Sequence, residues 1–275
     1  MRIRRYRDRY VQYPSFNSAI VLLALFWICQ LISGVFVELL SSAFGGVHSG
    51  AAWGMINTLA FYGVMQFVIR KPGMTIGAIV GRTRVPMVAF LAIAIGCVGA
   101  LVLITELEAV VLKLLPMSGR IRELFEMLDR PENLFGAILL LCLVAPITEE
   151  ILFRGVILAG FLKNYRRTDA LLLPSCLFAF AHLNPWQYIG AFLLGLLLGY
   201  AYMRTQSIIP SMLLHGLYNG LTLATDSVWN SILSLRLPLP LLLVGIVGTA
   251  FVVAAVLLLM YSPKLKRFEK HELAF

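Results

Sequence analysis

Long apolar runs are the feature of this sequence that most restricts its fold. A helix of about 20 apolar residues crosses a bilayer, and eight runs in the chain come near that length. They are Phe16–Leu40, Ala51–Ile69, Pro86–Ile104, Leu134–Leu162, Ala170–Leu183, Tyr188–Met203, Ile208–Ala224 and Leu241–Tyr261. Because lipid cannot satisfy exposed backbone groups, such runs form helices that pack together. The sequence therefore predicts an all-α polytopic transmembrane helical bundle with about eight spans.

Two of these runs are short for a membrane span. The fifth and sixth have about 14 to 16 residues, whereas a spanning helix needs at least about 17. They can therefore also form a hairpin that does not cross, and a bundle of six spans is the alternative. Composition supports the membrane class in either case, because only 13% of the residues are charged and a soluble domain carries about 25%.

The basic residues predict the orientation of the bundle. Lys and Arg concentrate on the cytoplasmic side of membrane proteins. With an internal N-terminus and eight spans, most of the 23 Lys and Arg residues fall on the inner side. We therefore expect both termini inside (N-in and C-in). A basic face that meets anionic lipid also accounts for the net charge of +9 without a nucleic-acid partner.

The fourth run carries three ionisable residues in its centre, within "ITEEILFRG". Each such group costs about 2.5–3.5 kcal/mol within a bilayer, so these groups usually face a partner or a cavity. On a helix, Glu150 and Arg154 share a face and can pair. Glu149 is turned about 100° away and has no cation at helical spacing. One carboxylate is thus predicted to be paired, and the other to be free for an interaction outside its own helix.

Polar residues also occur in two later runs. His182 ends "CLFAFAH", with Phe178 one turn before it, and His215 is followed by Asn219 one turn later on the same face. A single histidine or asparagine in a membrane helix often only bonds a neighbouring helix. Counted from the predicted inner end of each run (Lys163, Asp169 and Arg204), however, Glu149, His182 and His215 lie about 16 to 21 Å along their helices. Similar depth on three helices predicts a shared polar cavity.

These side chains suit the hydrolysis of a peptide bond. A glutamate can take a proton from water, and a histidine can orient that water. A second histidine and an amide can donate to a carbonyl oxygen as it becomes negative. His215 and Asn219 would provide two such donors on one helix.

The three motifs resemble those of the CAAX-protease and bacteriocin-processing family, the Abi group of intramembrane glutamate-type endopeptidases. They are "EEILFR" (Glu149–Arg154), "FAFAH" (Phe178–His182) and "HGLYN" (His215–Asn219), in that order. The resemblance covers about residues 134–224. It implies a membrane protease in which Glu149 and His182 activate water, while His215 and Asn219 form the oxyanion hole. Glu150 and Arg154 would support the site, and Phe178 would line it.

Members of this family are often labelled metalloproteases. Two histidines and a glutamate can bind zinc, but the sequence has no His-Glu-x-x-His motif and the three residues come from separate helices. We therefore prefer catalysis without a metal, and a divalent ion such as zinc is the alternative. The expected partners are a membrane-associated peptide or protein substrate and the lipid bilayer.

The resemblance divides the chain into three parts. Residues 1–133 would hold the first spans and a surface helix over 118–133, residues 134–224 the core domain with the active site, and residues 225–275 the last span and a cytoplasmic tail. The expected location is a prokaryotic cytoplasmic membrane. Two other functions remain open: a non-proteolytic protein of the same fold, for bacteriocin self-immunity or scaffolding, and a small proton-coupled transporter.

Overall fold

The computed structural model describes residues 12–44, 49–119, 134–234 and 241–262 of the chain. Within this part, all eight apolar runs form helices, and a short additional helix lies between the second and third runs. The helices are α1 (Phe16–Phe44), α2 (Ser49–Val68), α3 (Ile76–Val80), α4 (Met87–Leu114), α5 (Leu134–Asn164), α6 (Arg167–Ala181), α7 (Tyr188–Thr205), α8 (Ile209–Ser234) and α9 (Leu241–Tyr261). The described residues contain no β-strand, only an isolated bridge between Gly81 and Ser207. The predicted all-α class is confirmed.

Among the residues that the structure describes, three helical stretches are long and apolar enough to cross a membrane: Phe16–Ala43, Met87–Leu114 and Leu134–Asn164. Two shorter apolar helices accompany them, Gly54–Val68 and Gly245–Tyr261. These lengths fit a membrane protein, while the count of eight spans and the orientation stay predictions. The predicted surface helix over 118–133 lies, apart from its first two residues, outside the described part of the chain.

Small residues let the helices approach closely. A Cβ added at Gly99 on α4 would lie 2.7 Å from the carbonyl oxygen of Gly248 on α9. A Cβ at Gly195 on α7 would lie 3.1 Å from the Cβ of Ser175 on α6. In lipid, where apolar surface gains little by leaving the solvent, such backbone contact is a main source of helix association. Glycines thus position α9 against α4 and α7 against α6.

In the described part of the chain, buried apolar side chains form two clusters. One joins α5 to α1, α2 and α6, and the other joins α4 to α7, α8 and α9. α7 contributes to both, with Ala191 and Tyr202 in the first cluster and Leu198 in the second. α5, α6 and α8, which carry the three sequence motifs, are therefore held in one packed body.

The helix α5 is not a regular α-helix. Two π-helical segments, Leu139–Val144 and Ile151–Leu158, flank a short α-helical segment, Ala145–Glu150. Pro146 has no N–H and would clash with the carbonyl of residue 142 in a regular α-helix, and a widened π turn relieves that conflict. Both glutamates of the doublet lie in the segment between the two π turns.

Candidate active site

The carboxylate of Glu150 is held by two partners. Its Oε1 accepts a hydrogen bond from Arg154 Nη1 at 2.5 Å and one from His215 Nδ1 at 2.9 Å. Glu150 is 0% exposed and Arg154 2% exposed. The pairing that the i, i+4 spacing predicts is therefore present, and it extends to His215 on another helix. A buried ion pair persists only when its charges are matched and hydrogen bonded.

Arg154 has two further contacts that help to place it. Its Nη2 donates to the carbonyl oxygen of Gly195 at 3.2 Å. Its Cζ lies 4.7 Å from the ring centroid of Phe178, within the range of a cation–π contact. The close approach of α7 at Gly195 thus provides a backbone acceptor for the guanidinium.

Glu149 differs from its neighbour. Its Oε2 lies 3.9 Å from His215 Nε2, and its side chain is 20% exposed. This distance exceeds a direct hydrogen bond, and the buried Oε2 has no hydrogen-bond partner among the described residues. The two adjacent carboxylates therefore bracket one imidazole, with Glu150 bound to Nδ1 and Glu149 apart from Nε2.

Phe178 separates the two histidines. Its ring centroid lies 5.0 Å from that of His182 and 5.7 Å from that of His215, in edge-on contact with both. It is 1% exposed and also packs edge-on against Phe153 at 5.1 Å. A rigid aromatic ring thus sets the spacing of the imidazoles.

His182 follows the last residue of α6, so it lies at the helix terminus and not inside a helix. Its ring Nδ1 is 2.8 Å from the carbonyl oxygen of Phe178. A carbonyl only accepts, so Nδ1 carries the proton and donates. In the neutral ring, Nε2 is then an acceptor, as a group that orients water needs to be.

The last four carbonyls of a helix have no partner within it, and all four at the end of α6 are satisfied. His182 provides two donors, the ring Nδ1 for Phe178 and the backbone N–H for Ala179. Leu183, with a positive φ of 50°, donates its N–H to the carbonyl oxygen of Phe180, three residues before it. The remaining carbonyl, of Ala181, accepts the indole N–H of Trp27 on α1 at 3.2 Å.

Asn219 lies one turn after His215 on α8, and its Nδ2 donates to the carbonyl oxygen of Leu141 at 2.8 Å. Because a carbonyl only accepts, this bond also assigns which amide atom is the nitrogen. Gly216 permits the close approach, since a Cβ there would collide with the carbonyl oxygen of Cys142 on α5. One Nδ2 proton is engaged and the second remains for another acceptor.

The structure thus places the side chains of α5, α6 and α8 beside one another. Glu150, Arg154 and His215 are directly bonded, Glu149 lies near His215, and Phe178 joins His182 to the group. Sequence reasoning missed Trp27 and the carbonyls of Leu141 and Gly195. Every residue has a backbone carbonyl, so its use in a site leaves no signal in the sequence.

We looked for side chains near one another that could bind a metal ion. Within the described residues, no three His, Cys, Asp or Glu side chains are grouped so that they could hold a metal ion. The four cysteines, Cys29, Cys97, Cys142 and Cys176, are unpaired thiols.

Comparison with known proteins gives one family. Residues 131–221 match the family model described as Rce1-like, type II CAAX prenyl endopeptidase Rce1-like. The match contains all three motifs and every side chain of the site apart from Trp27 on α1. No curated protein and no solved structure is significantly similar to the chain.

Proposed function

Because residues 131–221 match the model described as type II CAAX prenyl endopeptidase Rce1-like, we propose that this protein is an intramembrane endopeptidase in which Glu149 activates water. The observation that carries the proposal is the contrast within the glutamate doublet. Glu150 is bonded through Oε1 to Arg154 and His215, and only its Oε2 is buried without a partner. Glu149 makes no hydrogen bond among the described residues, and its buried Oε2 lies 3.9 Å from an imidazole nitrogen.

The gap between Glu149 Oε2 and His215 Nε2 is suited to one oxygen atom. Two hydrogen bonds of about 2.8 Å that meet near a right angle span such a separation. Water there would donate to the carboxylate while its oxygen attacks the carbonyl carbon of the peptide. Its proton passes to Glu149, and Glu149 then gives it to the leaving nitrogen as the C–N bond breaks. His182, through its unprotonated Nε2, would orient the water.

Two donors on α8 would stabilise the tetrahedral intermediate. Asn219 offers its second Nδ2 proton. When both of its nitrogens are protonated, His215 offers Nε2–H first to the water and, once the new C–O bond has formed, to the oxyanion beside it. In that form, the Nδ1–H of His215 stays hydrogen bonded to Glu150. The charges of the two glutamates, Arg154 and His215 then sum to zero. A neutral cluster suits a low-dielectric site, in which preorganised donors are most effective.

The topology is part of the proposal. Eight spans with both termini inside would put Glu149, His182 and His215 at a similar depth in a cytoplasmic membrane, within reach of a membrane-associated peptide. The core would correspond to residues 134–224, between the spans of residues 1–133 and the last span and tail of residues 225–275. Cysteine-accessibility labelling of the loops in sealed vesicles tests this orientation.

The direct test is cleavage of a quenched fluorescent peptide by the purified protein in liposomes. We expect Glu149→Gln and His182→Ala to abolish cleavage without loss of the folded protein, as judged by thermal melting. Glu106→Gln on α4 is the matched control, because it also replaces a glutamate of a candidate membrane span and should retain activity. Normal turnover by Glu149→Gln would overturn the mechanism.

The same preparation separates the other functions. A scaffold or immunity protein would show no peptide product in any variant. A proton-coupled transporter would instead change the internal pH of the vesicles, again without a product. An assay before and after strong chelation, together with elemental analysis, decides whether zinc takes part.

A further inference from the structure

The amide of Asn219 is oriented by a single backbone oxygen. Its Nδ2 donates to Leu141 O at 2.8 Å, and no other side-chain bond of Asn219 is present among the described residues. A carboxamide that is free to rotate would present its oxygen as often as its nitrogen to an anion. The bond to Leu141 therefore decides that the amide offers a proton, and the direction in which it does so.

The carbonyl of Leu141 is available because α5 is π-helical at this point. In an α-helix the N–H of Ala145 would bond to Leu141 O, but here it bonds to Leu140 O. The π-helical partner of Leu141 O would be the N–H of residue 146, and that residue is Pro146, which has none. The Ala145 N–H is thus engaged by Leu140 O and residue 146 has no N–H, so neither of these two donors occupies the Leu141 oxygen.

The freed oxygen of Leu141 faces α8, next to the close approach of Gly216 on α8 to the Cys142 carbonyl oxygen on α5. Pro146 is buried and belongs to the short α-helical segment that carries the glutamate doublet. A Cβ built at Gly216, which lies between His215 and Asn219 on α8, would be 3.8 Å from Pro146 Cγ. The proline ring therefore lies against the same stretch of α8 that carries the two proposed oxyanion donors.

From this geometry we propose that Pro146 is a positioning residue for Asn219: by withholding an N–H from the π turn, it reserves the Leu141 carbonyl oxygen for the Asn219 amide. The contact itself is independent of any activity. Its effect on catalysis rests on the proposed function, in which the second Nδ2 proton of Asn219 binds the oxyanion.

The key variant is Pro146→Ala, which adds one N–H at the position where the π-helical bond to Leu141 O would close. The new donor competes with Asn219. Since one hydrogen bond is worth about 1 kcal/mol, we expect kcat for peptide cleavage to fall about fivefold to tenfold with KM unchanged. The variant should melt no lower than the wild type, because it gains a helical bond. A purely structural proline would instead affect melting.

The matched control is Pro174→Ala. Pro174 is also a buried proline inside a helix, on α6, and its replacement also adds an N–H, but its i−4 residue is Ala170 on α6, whereas the acceptor of Asn219 is Leu141 on α5. We expect it to retain the kcat of the wild type. Pro146→Ser adds the same N–H as Pro146→Ala and serves as a second variant should the alanine variant not fold.

A double-mutant cycle tests whether Pro146 acts through Asn219. Pro146→Ala should have no further effect on kcat in the Asn219→Ala background, because the amide that it disturbs is gone. The inference would be overturned if kcat of the double variant fell by the product of the two single reductions. It would also be overturned if Pro146→Ala alone kept the wild-type kcat.

A readout without catalysis distinguishes failure of this inference from failure of the proposed function. In protein labelled with ¹⁵N-asparagine, the Asn219 side-chain signal is the one that Asn219→Ala removes. We expect it to move in Pro146→Ala and to stay in place in Pro174→Ala. An unmoved signal overturns the inference whether or not the protein cleaves peptides, and an absence of Glu149-dependent cleavage overturns only the proposed function.

Discussion

Trp27 on α1 donates its indole N–H to the carbonyl oxygen of Ala181, the last residue of α6, at 3.2 Å. Ala181 directly precedes His182. In the same helical turn, the His182 ring donates to Phe178 O and the His182 backbone N–H donates to Ala179 O. Trp27 lies outside residues 131–221, the part of the chain that matches the family model. A helix from the N-terminal part thus completes the helix end on which His182 is placed.

Trp27→Phe is expected to lower kcat severalfold, because it removes the indole donor, worth about 1 kcal/mol, while keeping an aromatic ring. His182 would then be held by a frayed helix end. Steady-state cleavage kinetics check this. Trp186→Phe is the control, since it removes a similar indole bond, to Leu115 O at 2.6 Å, that does not involve α6. Equal kinetics for the two variants would contradict the role given to Trp27.

Glu150→Gln is expected to destabilise the fold strongly. It leaves the charge of Arg154 buried without a counter-ion, a situation that costs about 3–5 kcal/mol. Thermal melting of the purified protein measures the loss. The double variant Glu150→Gln/Arg154→Met removes both charges and should recover much of the stability, without recovering cleavage. Glu149→Gln should melt like the wild type, because Glu149 has no ion-pair contact shorter than 3.9 Å to any described residue. A double variant less stable than Glu150→Gln alone would contradict this account.

Gly216→Ala is expected to lower stability by about 1–3 kcal/mol, because its Cβ collides with the Cys142 carbonyl oxygen and separates α8 from α5. Asn219 would then lose Leu141 O, so cleavage should fall as well. Gly245→Ala on α9 is the control, since nothing lies within 4 Å of a Cβ there. Melting curves and kcat of the two variants, measured side by side, check the prediction; a Gly216→Ala protein like the wild type would exclude close packing at this point.

We expect the stability of the fold to depend on pH through Tyr13. Burial raises the pKa of its phenol from 10.0 to about 12, and its hydroxyl has no hydrogen-bond partner among the described residues. The folded state therefore keeps the proton between pH 10 and 12 while the unfolded chain releases it, so the contribution of Tyr13 is complete below pH 10 and is lost as the pH rises through this window. Tyr13→Phe should flatten the fall of the melting temperature above pH 10, and an unchanged slope would contradict the assignment.

Much of the site follows from the spacing of polar residues in apolar runs. A charge in lipid needs a partner, so the i, i+4 relation of Glu150 and Arg154 was sufficient to predict their ion pair. The same reasoning left Glu149 without a partner on its own helix. The roles of Glu149, His182, His215 and Asn219 in catalysis stay predictions until the variants are measured.

Other features had no signal of this kind. Nothing in the spacing indicated that His215 bonds to Glu150, because the angle at which α8 meets α5 depends on contacts such as Gly216 against Cys142. The π turns of α5 were also not predicted, although Pro146 is visible in the sequence. A proline in a helix can produce a kink, a break or a π turn, and its surroundings select among them.

The amino-acid sequence by itself determined that the chain is helical and suited to lipid, and which polar side chains its helices carry. Both follow from local composition, through the length of each apolar run and the cost of an isolated charge in lipid. Only the tertiary structure decided which carbonyl oxygens those side chains meet: Gly195 for Arg154, Ala181 for Trp27 and Leu141 for Asn219. The reason is physical. Backbone acceptors are the same at every position, so their use depends on the distance and register between packed helices.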